Sequence, residues 1–142
     1  EAVLEDLGAT DWIELRGRVD DAALLDLYRT AWLVASASLR EGWGMTLTEA
    51  AACGTPGVAT DIAGHRDAVA DGVSGLLAAG DDALGPAIAR VLADDALRRT
   101  LGTGALRHAE RFRWPRTAAA LLALLDRSGS LRASRGAAPG SR

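Results

Sequence analysis

The sequence predicts an α/β domain, a parallel sheet with helices on both faces. Three observations carry that expectation. Short apolar runs at 32–35, 57–60 and 75–78 are strand-sized and alternate with longer stretches of helical periodicity. Glycine, proline and aspartate punctuate the junctions, as at Gly54-Thr55-Pro56 and Asp71-Gly72. The 142 residues, 49% hydrophobic and 25% charged, suffice for one domain with a real core, and no apolar run is long enough to span a membrane. Short apolar strands set between helices mark a sheet buried on both sides.

Residues 1–8 close a helix, with Gly8 as its C-terminal cap. That helix reads as already under way, so the sequence is expected to be part of a longer polypeptide, truncated at its start. Trp12–Leu15 reads as a short strand entering a turn at Gly17. A helix follows from Val19-Asp20-Asp21 through Arg29, with Asp20 as N-cap and Leu24, Leu27 and Tyr28 as its apolar stripe. Trp32–Ala35 reads as a buried strand, followed by a polar loop with Ser36, Ser38 and Arg40. Met45–Cys53 is a short helix ended by Gly54, with Pro56 beyond.

Gly57–Thr60 is the next strand, Ile62-Ala63-Gly64 a loop, and His65–Ala70 a helix of one or two turns. After the Asp71-Gly72 turn comes a strand, Gly75–Ala78. Helices at Asp82–Ala93 and Asp95–Phe112 follow, the first with Pro86 in its opening turn, where proline is tolerated. Pro115–Arg127 is a last helix. Ser128–Arg142 is Ser, Gly, Ala and Arg with little apolar matter and is expected to be a disordered tail. The expected organisation is thus a domain over 1–114, a helix over 115–127 and a tail over 128–142.

The net charge is -3 and all 16 cationic residues are arginine, with no general basic face, so nucleic acid is not an expected partner. The single cysteine, Cys53, excludes an internal disulfide framework and suits a reducing compartment. Cys53 itself reads as a small buried hydrophobe. His108 lies in a polar helix and reads as solvated.

In a parallel sheet of this kind, ligands sit outside the carboxyl ends of the strands. That rule selects three loops, Arg16–Asp20, Ser36–Met45 and Thr60–Arg66. The middle one carries chemistry. Gly42 and Gly44 let the backbone turn sharply and approach a ligand. A helix then begins near Met45, so free N–H groups and the positive end of its dipole face the loop, an anion site suited to a diphosphate. Glu41 precedes that helix and Glu49 lies within it. Carboxylates accept from paired hydroxyls, so one could hold the hydroxyls of a sugar and the other a ribose diol. The bland alternative is a pair of solvated charges flanking a glycine-rich turn.

The run Glu41-Gly-Trp-Gly-Met-Thr-Leu-Thr-Glu49-Ala-Ala-Ala-Cys-Gly-Thr-Pro56 resembles the E-x7-E motif of the family 4 retaining glycosyltransferases, with Trp43 where members carry Phe. Leu15-Arg-Gly-Arg-Val19 is similar to the family's F-x-G-x-V turn, and Ala59–Val69 with Asp71–Leu77 to a further stretch downstream. The likeness spans about 12–125 in matching order. It implies a Rossmann-like domain, the C-terminal, donor-binding half of a GT-B fold. The implied activity is transfer of a sugar from a UDP- or GDP-sugar, with retention of configuration, to an acceptor the sequence does not name.

The resemblance also implies roles. Glu41, the candidate catalytic residue, would meet the donor sugar's hydroxyls in a positioning rather than a covalent role. Gly42 belongs to the same loop, and Gly44, Met45 and Thr46 would offer backbone N–H groups to sugar and diphosphate. Glu49 would hold the ribose, and the turn of Gly17, Arg18 and Val19 would contact the base through its backbone. Leu47 and Ala51 read as core. His65 reads as a loop residue near the ligand without a proton role. Neither a cofactor nor a metal is expected. The family's diphosphate-binding Arg and Lys and its N-terminal acceptor domain would precede Glu1, so the chain alone is expected to bind donor with little or no transfer. The expected location is cytoplasmic, or peripheral at the inner face of the membrane through that N-terminal domain.

Two related enzyme types on the same architecture, a sugar-nucleotide epimerase and a phosphorylase, fit the E-x7-E run less well. A dinucleotide oxidoreductase would need G-x-G-x-x-G after a first strand, which is lacking. The alternative from another class is a nucleotide-binding or interaction module without catalysis.

Overall fold

The computed structural model describes residues 2–80 and 82–136. Three strands form one parallel sheet in the order β1-β2-β3: β1 (Val34–Ser36), β2 (Gly57–Thr60) and β3 (Gly75–Ala78). The register pairs Ser36 with Ala59 and Val58 with Leu76, so all three carboxyl ends leave on one side.

Helices cover both faces because the strands alternate apolar side chains on both. Val58 and Leu76 point to one face, where they pack with Val91 of α5 (Leu84–Ala93) and Leu101 of α6 (Asp95–Ala109), and Leu33 joins them. The next residues, Ala59 and Leu77, point to the other and meet Leu47 of α3 (Met45–Ala52) and Ala68 of α4 (Ala63–Ala68), with Val34 beside them. This is the period of two that a strand imposes. Leu47 and Ala51 are core, as expected.

Around this centre, α1 (Ala2–Asp6) ends in Gly8 with φ +60°, the left-handed cap expected there. Helix α2 (Asp21–Thr30) is capped as expected: Asp20 accepts from the N–H of Ala23 at 2.8 Å. The helix expected to reach Phe112 instead tightens, after α6, into a 3-10 turn at Glu110–Phe112.

Three expectations need correction. Trp12–Leu15 is not a strand: no strand lies beside it among the described residues, and an extended segment without a ladder partner forms no sheet. The last helix, α7 (Trp114–Gly136), runs past Arg127 into the expected tail. Residues 137–142 of that tail lie outside the described residues. Cys53, expected buried, is half-buried at the C-cap of α3.

Candidate functional site

The carboxyl ends of β1 and β2 lie side by side, and a side-chain network ties them. The Thr60 hydroxyl donates to the carbonyl of Ser38 at 2.6 Å. His65 Nδ1 lies 2.7 Å from the Thr60 carbonyl. A carbonyl only accepts, so Nδ1 carries the hydrogen, and in the neutral ring Nε2 then accepts from the Ser36 hydroxyl at 3.1 Å. His65 lies in α4, which starts at Ala63 within the expected loop rather than at His65, and it is fully buried, with both nitrogens engaged in holding the strand ends together.

The loop that leaves β1 rests on this platform. A Cβ on Gly64 would sit 2.3 Å from the Glu41 carbonyl oxygen, so only glycine lets loop and helix meet so closely. The Gly44 N–H donates back to the Gly64 carbonyl at 3.3 Å. The loop's other side is pinned by Trp43. Its indole N–H donates to the Thr48 hydroxyl at 3.0 Å, and its ring meets Phe112 edge-on at 5.1 Å. The Glu41 side chain is exposed, and its carboxylate has no partner among the described residues.

Helix α3 starts from Gly44, which has no side chain to cap it. Of the three N–H groups expected to face a ligand, that of Gly44 is bonded to Gly64 and that of Met45 to the Trp43 carbonyl at 2.8 Å. Thr46, which is exposed, keeps a free N–H; Leu47 is 1% exposed, so its N–H is closed to a ligand. One donor and the positive end of a helix are thus left open between Glu41 and Glu49.

One turn further on, Glu49 is exposed but not free. The Tyr28 hydroxyl, from α2, donates to its Oε2 at 3.0 Å. Tyr28 is buried, and burial with the adjoining carboxylate pushes its pKa up to about 12. The pair borders a cleft of about 480 Å³ lined by Asp21, Leu24, Leu25 and Ala52. A larger cleft, about 570 Å³, lies at the amino ends of the strands, beside Trp32, Pro56 and Arg98. Neither glutamate lines it.

The turn of Gly17, Arg18 and Val19 joins this site only loosely. Gly17 takes φ +59° as a tight turn requires, and Arg18 is exposed. None of the three hydrogen-bonds to the Glu41–Glu49 segment among the described residues; Asp21, just beyond, reaches the cleft beside Glu49. His108, expected in solvent, is buried against Phe112, ring to ring at 5.1 Å. Desolvation, then the charge of Arg111, holds its pKa below the usual histidine value, and Nε2 has no partner among the described residues.

Three contributors escaped the sequence reading: Tyr28, the His65 network and the Trp43–Phe112 contact. Only Tyr28 left a signal, because a tyrosine in an apolar stripe needs a partner for its hydroxyl.

Comparison with known proteins adds to this geometry. A family model described as glycosyl transferases group 1 matches residues 1–108. The chain is 45% identical over 121 residues to a D-inositol 3-phosphate glycosyltransferase of Salinispora arenicola (strain CNS-205), covering 82% of this chain and 26% of that protein. It is 41% identical over 116 residues to the protein of that name from Streptomyces bingchenggensis (strain BCW-1), covering 80% and 26%. The chain therefore spans about a quarter of the length of these relatives.

Among solved structures, it superposes on the sucrose-phosphate synthase of Thermosynechococcus elongatus with TM-score 0.78 and 30% identity, over 92% of this chain and 33% of that one. It superposes on Anabaena HepE in complex with UDP and glucose with TM-score 0.68 and 26% identity, over 76% and 30%.

Proposed function

Because the chain belongs to the glycosyl transferases group 1 family, we propose that it forms the donor-binding half of a retaining, family 4-type sugar transferase. The donor is a nucleoside diphosphate sugar. The likeness to a protein solved with UDP and glucose favours a UDP-sugar over a GDP-sugar. Glu41 positions the sugar hydroxyls. The open first turn of α3, with Gly42, Gly44, Met45 and Thr46 around it, receives the diphosphate, and Glu49 holds the ribose. The turn of Gly17, Arg18 and Val19 lies toward the base.

As the bond from sugar to diphosphate breaks, an acceptor hydroxyl forms the new bond on the same face and passes its proton to the leaving phosphate. Donors already aimed at the departing charge stabilise that step without reorganising. The acceptor is held by a second domain of the longer protein, against which α7 braces its exposed Leu121, Leu122 and Leu125.

One observation carries this reading. A helix start without a side-chain cap, with a free and exposed N–H at Thr46, lies between the carboxylate of Glu41, unpartnered among the described residues, and a Glu49 with one oxygen in use. Calorimetric titration of the chain with UDP, GDP and UDP-glucose tests it. UDP should bind, and Glu49→Gln should weaken it about tenfold, the worth of one charge-assisted hydrogen bond. Glu41→Gln should weaken UDP-glucose and spare UDP. Normal binding by both variants, or no binding of either nucleotide by the folded chain, would sink the assignment.

A further inference from the structure

The donor-site reading leaves Tyr28 without a role, although its hydroxyl is held against Glu49 beside the site. Tyr28 is 7% exposed, so it offers little surface to a ligand. Its backbone is fixed as well: the buried Thr55 hydroxyl donates to the Tyr28 carbonyl. The hydroxyl reaches out of α2 to Glu49 Oε2 at 3.0 Å. Glu49 Oε1 has no partner among the described residues.

We propose that Tyr28 is a positioning residue of the donor site, fixing the Glu49 carboxylate by one oxygen so that the other faces the ribose hydroxyls. This rests on the donor-site reading above. The physical reason is preorganisation. A glutamate on an exposed helix face samples many rotamers, and ordering it on binding costs affinity. A rigid, buried donor removes most of that cost before the nucleotide arrives. Tyr28 suits the task because it stays protonated, and so remains a donor, across the neutral range, its pKa lying at about 12.

Tyr28→Phe removes the hydroxyl and keeps the ring. Its effect should appear only through Glu49, so the test pairs protein variants with nucleotide variants. Binding of UDP and of dideoxy-UDP, which lacks both ribose hydroxyls, is measured for the chain, Tyr28→Phe, Glu49→Gln and the double variant, with thermal melting of each. Tyr28→Phe should weaken UDP about tenfold and leave dideoxy-UDP unchanged, and the double variant should be no weaker than Glu49→Gln alone.

Equal weakening of both nucleotides would mean a merely structural bond and overturn the proposal. So would unchanged UDP binding in Tyr28→Phe while Glu49→Gln still weakens it; the donor site then stands without Tyr28. If Glu49→Gln itself has no effect, the donor-site reading fails and takes this one with it.

Should Tyr28→Phe not fold, the unmutated chain answers the question. Tyr28 is its sole tyrosine, so fluorotyrosine places a single fluorine label at this bond. Its resonance should shift with UDP and much less with dideoxy-UDP at matched occupancy; equal shifts would overturn the proposal.

Discussion

Two segments open alike and end in different states. Trp32-Leu33-Val34-Ala35 and Trp12-Ile13-Glu14-Leu15 each follow a helix and open on a tryptophan. Of the first, Val34 and Ala35 enter β1, because β2 offers a ladder from Gly57 to Ala59, while Trp32, expected in a buried strand, stays ahead of it and 60% exposed. The second stays irregular, with Trp12 75% and Leu15 62% exposed. Strand preference is a fit to a pleated, half-buried surface, and only β1 has that surface. Propensity nominates a strand and a neighbour decides it. The same contrast separates α6, whose Leu101 is fully buried, from α7, where Leu121, Leu122, Leu124 and Leu125 are all exposed.

The comparison breaks most easily at the sheet. Leu101 packs with Val58, Leu76 and Val91 on the α5–α6 face. Leu101→Ala removes that contact and leaves a cavity, and should cost about 2–5 kcal/mol in a denaturant melt. A loss below about 1 kcal/mol would mean that this face is no better packed than the flanks.

A smaller effect is expected at His108, where α6 passes into the 3-10 turn. Its pKa is depressed by burial first and by Arg111 second; the backbone of Asp67 and Ala68 opposes the shift, and Phe112 covers the ring. A depressed histidine pKa means that the folded state favours the neutral ring. The stability it contributes is present above the unfolded value, about 6.5, and is lost as pH falls below it. Stability of the chain should therefore decline as pH drops through about 6.5 and below, and His108→Gln should flatten that slope. Equal slopes in the two proteins would remove His108 as the cause and loosen the boundary between packed core and flank.

The partner rule also explains what could be read in advance. The positions of β2 and β3, the start of α3 at Met45, the Asp20 cap and the Gly8 cap follow from residues a few places apart, and local chemistry set them. The glutamates flanking an open helix start were legible for the same reason, since Glu41 and Glu49 belong to one loop and one helix. What stayed hidden spans the chain. Tyr28 meets Glu49 across α2 and α3, His65 meets Ser36 across two strands, and Trp43 meets Phe112 from the far end. His108 read as solvated because its helix is polar, and it is buried because Phe112 returns over it. No spacing rule reports such pairs, because the fold rather than the interval makes them neighbours.

The smallest predicted effect is the sharpest test of the contrast. Leu15→Ser replaces an apolar residue in the segment that looked most like a strand. If the neighbour decides, Leu15 buries little and the substitution should change stability by less than about 0.5 kcal/mol, the range of an exposed site. Serine also favours turns over strands, so any latent strand at Trp12–Leu15 would be weakened further. A loss above about 1 kcal/mol in the denaturant melt would show that this segment is packed in solution, against a second copy of the chain or against the sheet edge at β1. Repeating the melt over a range of protein concentrations separates those two, because only association between copies makes the midpoint depend on concentration.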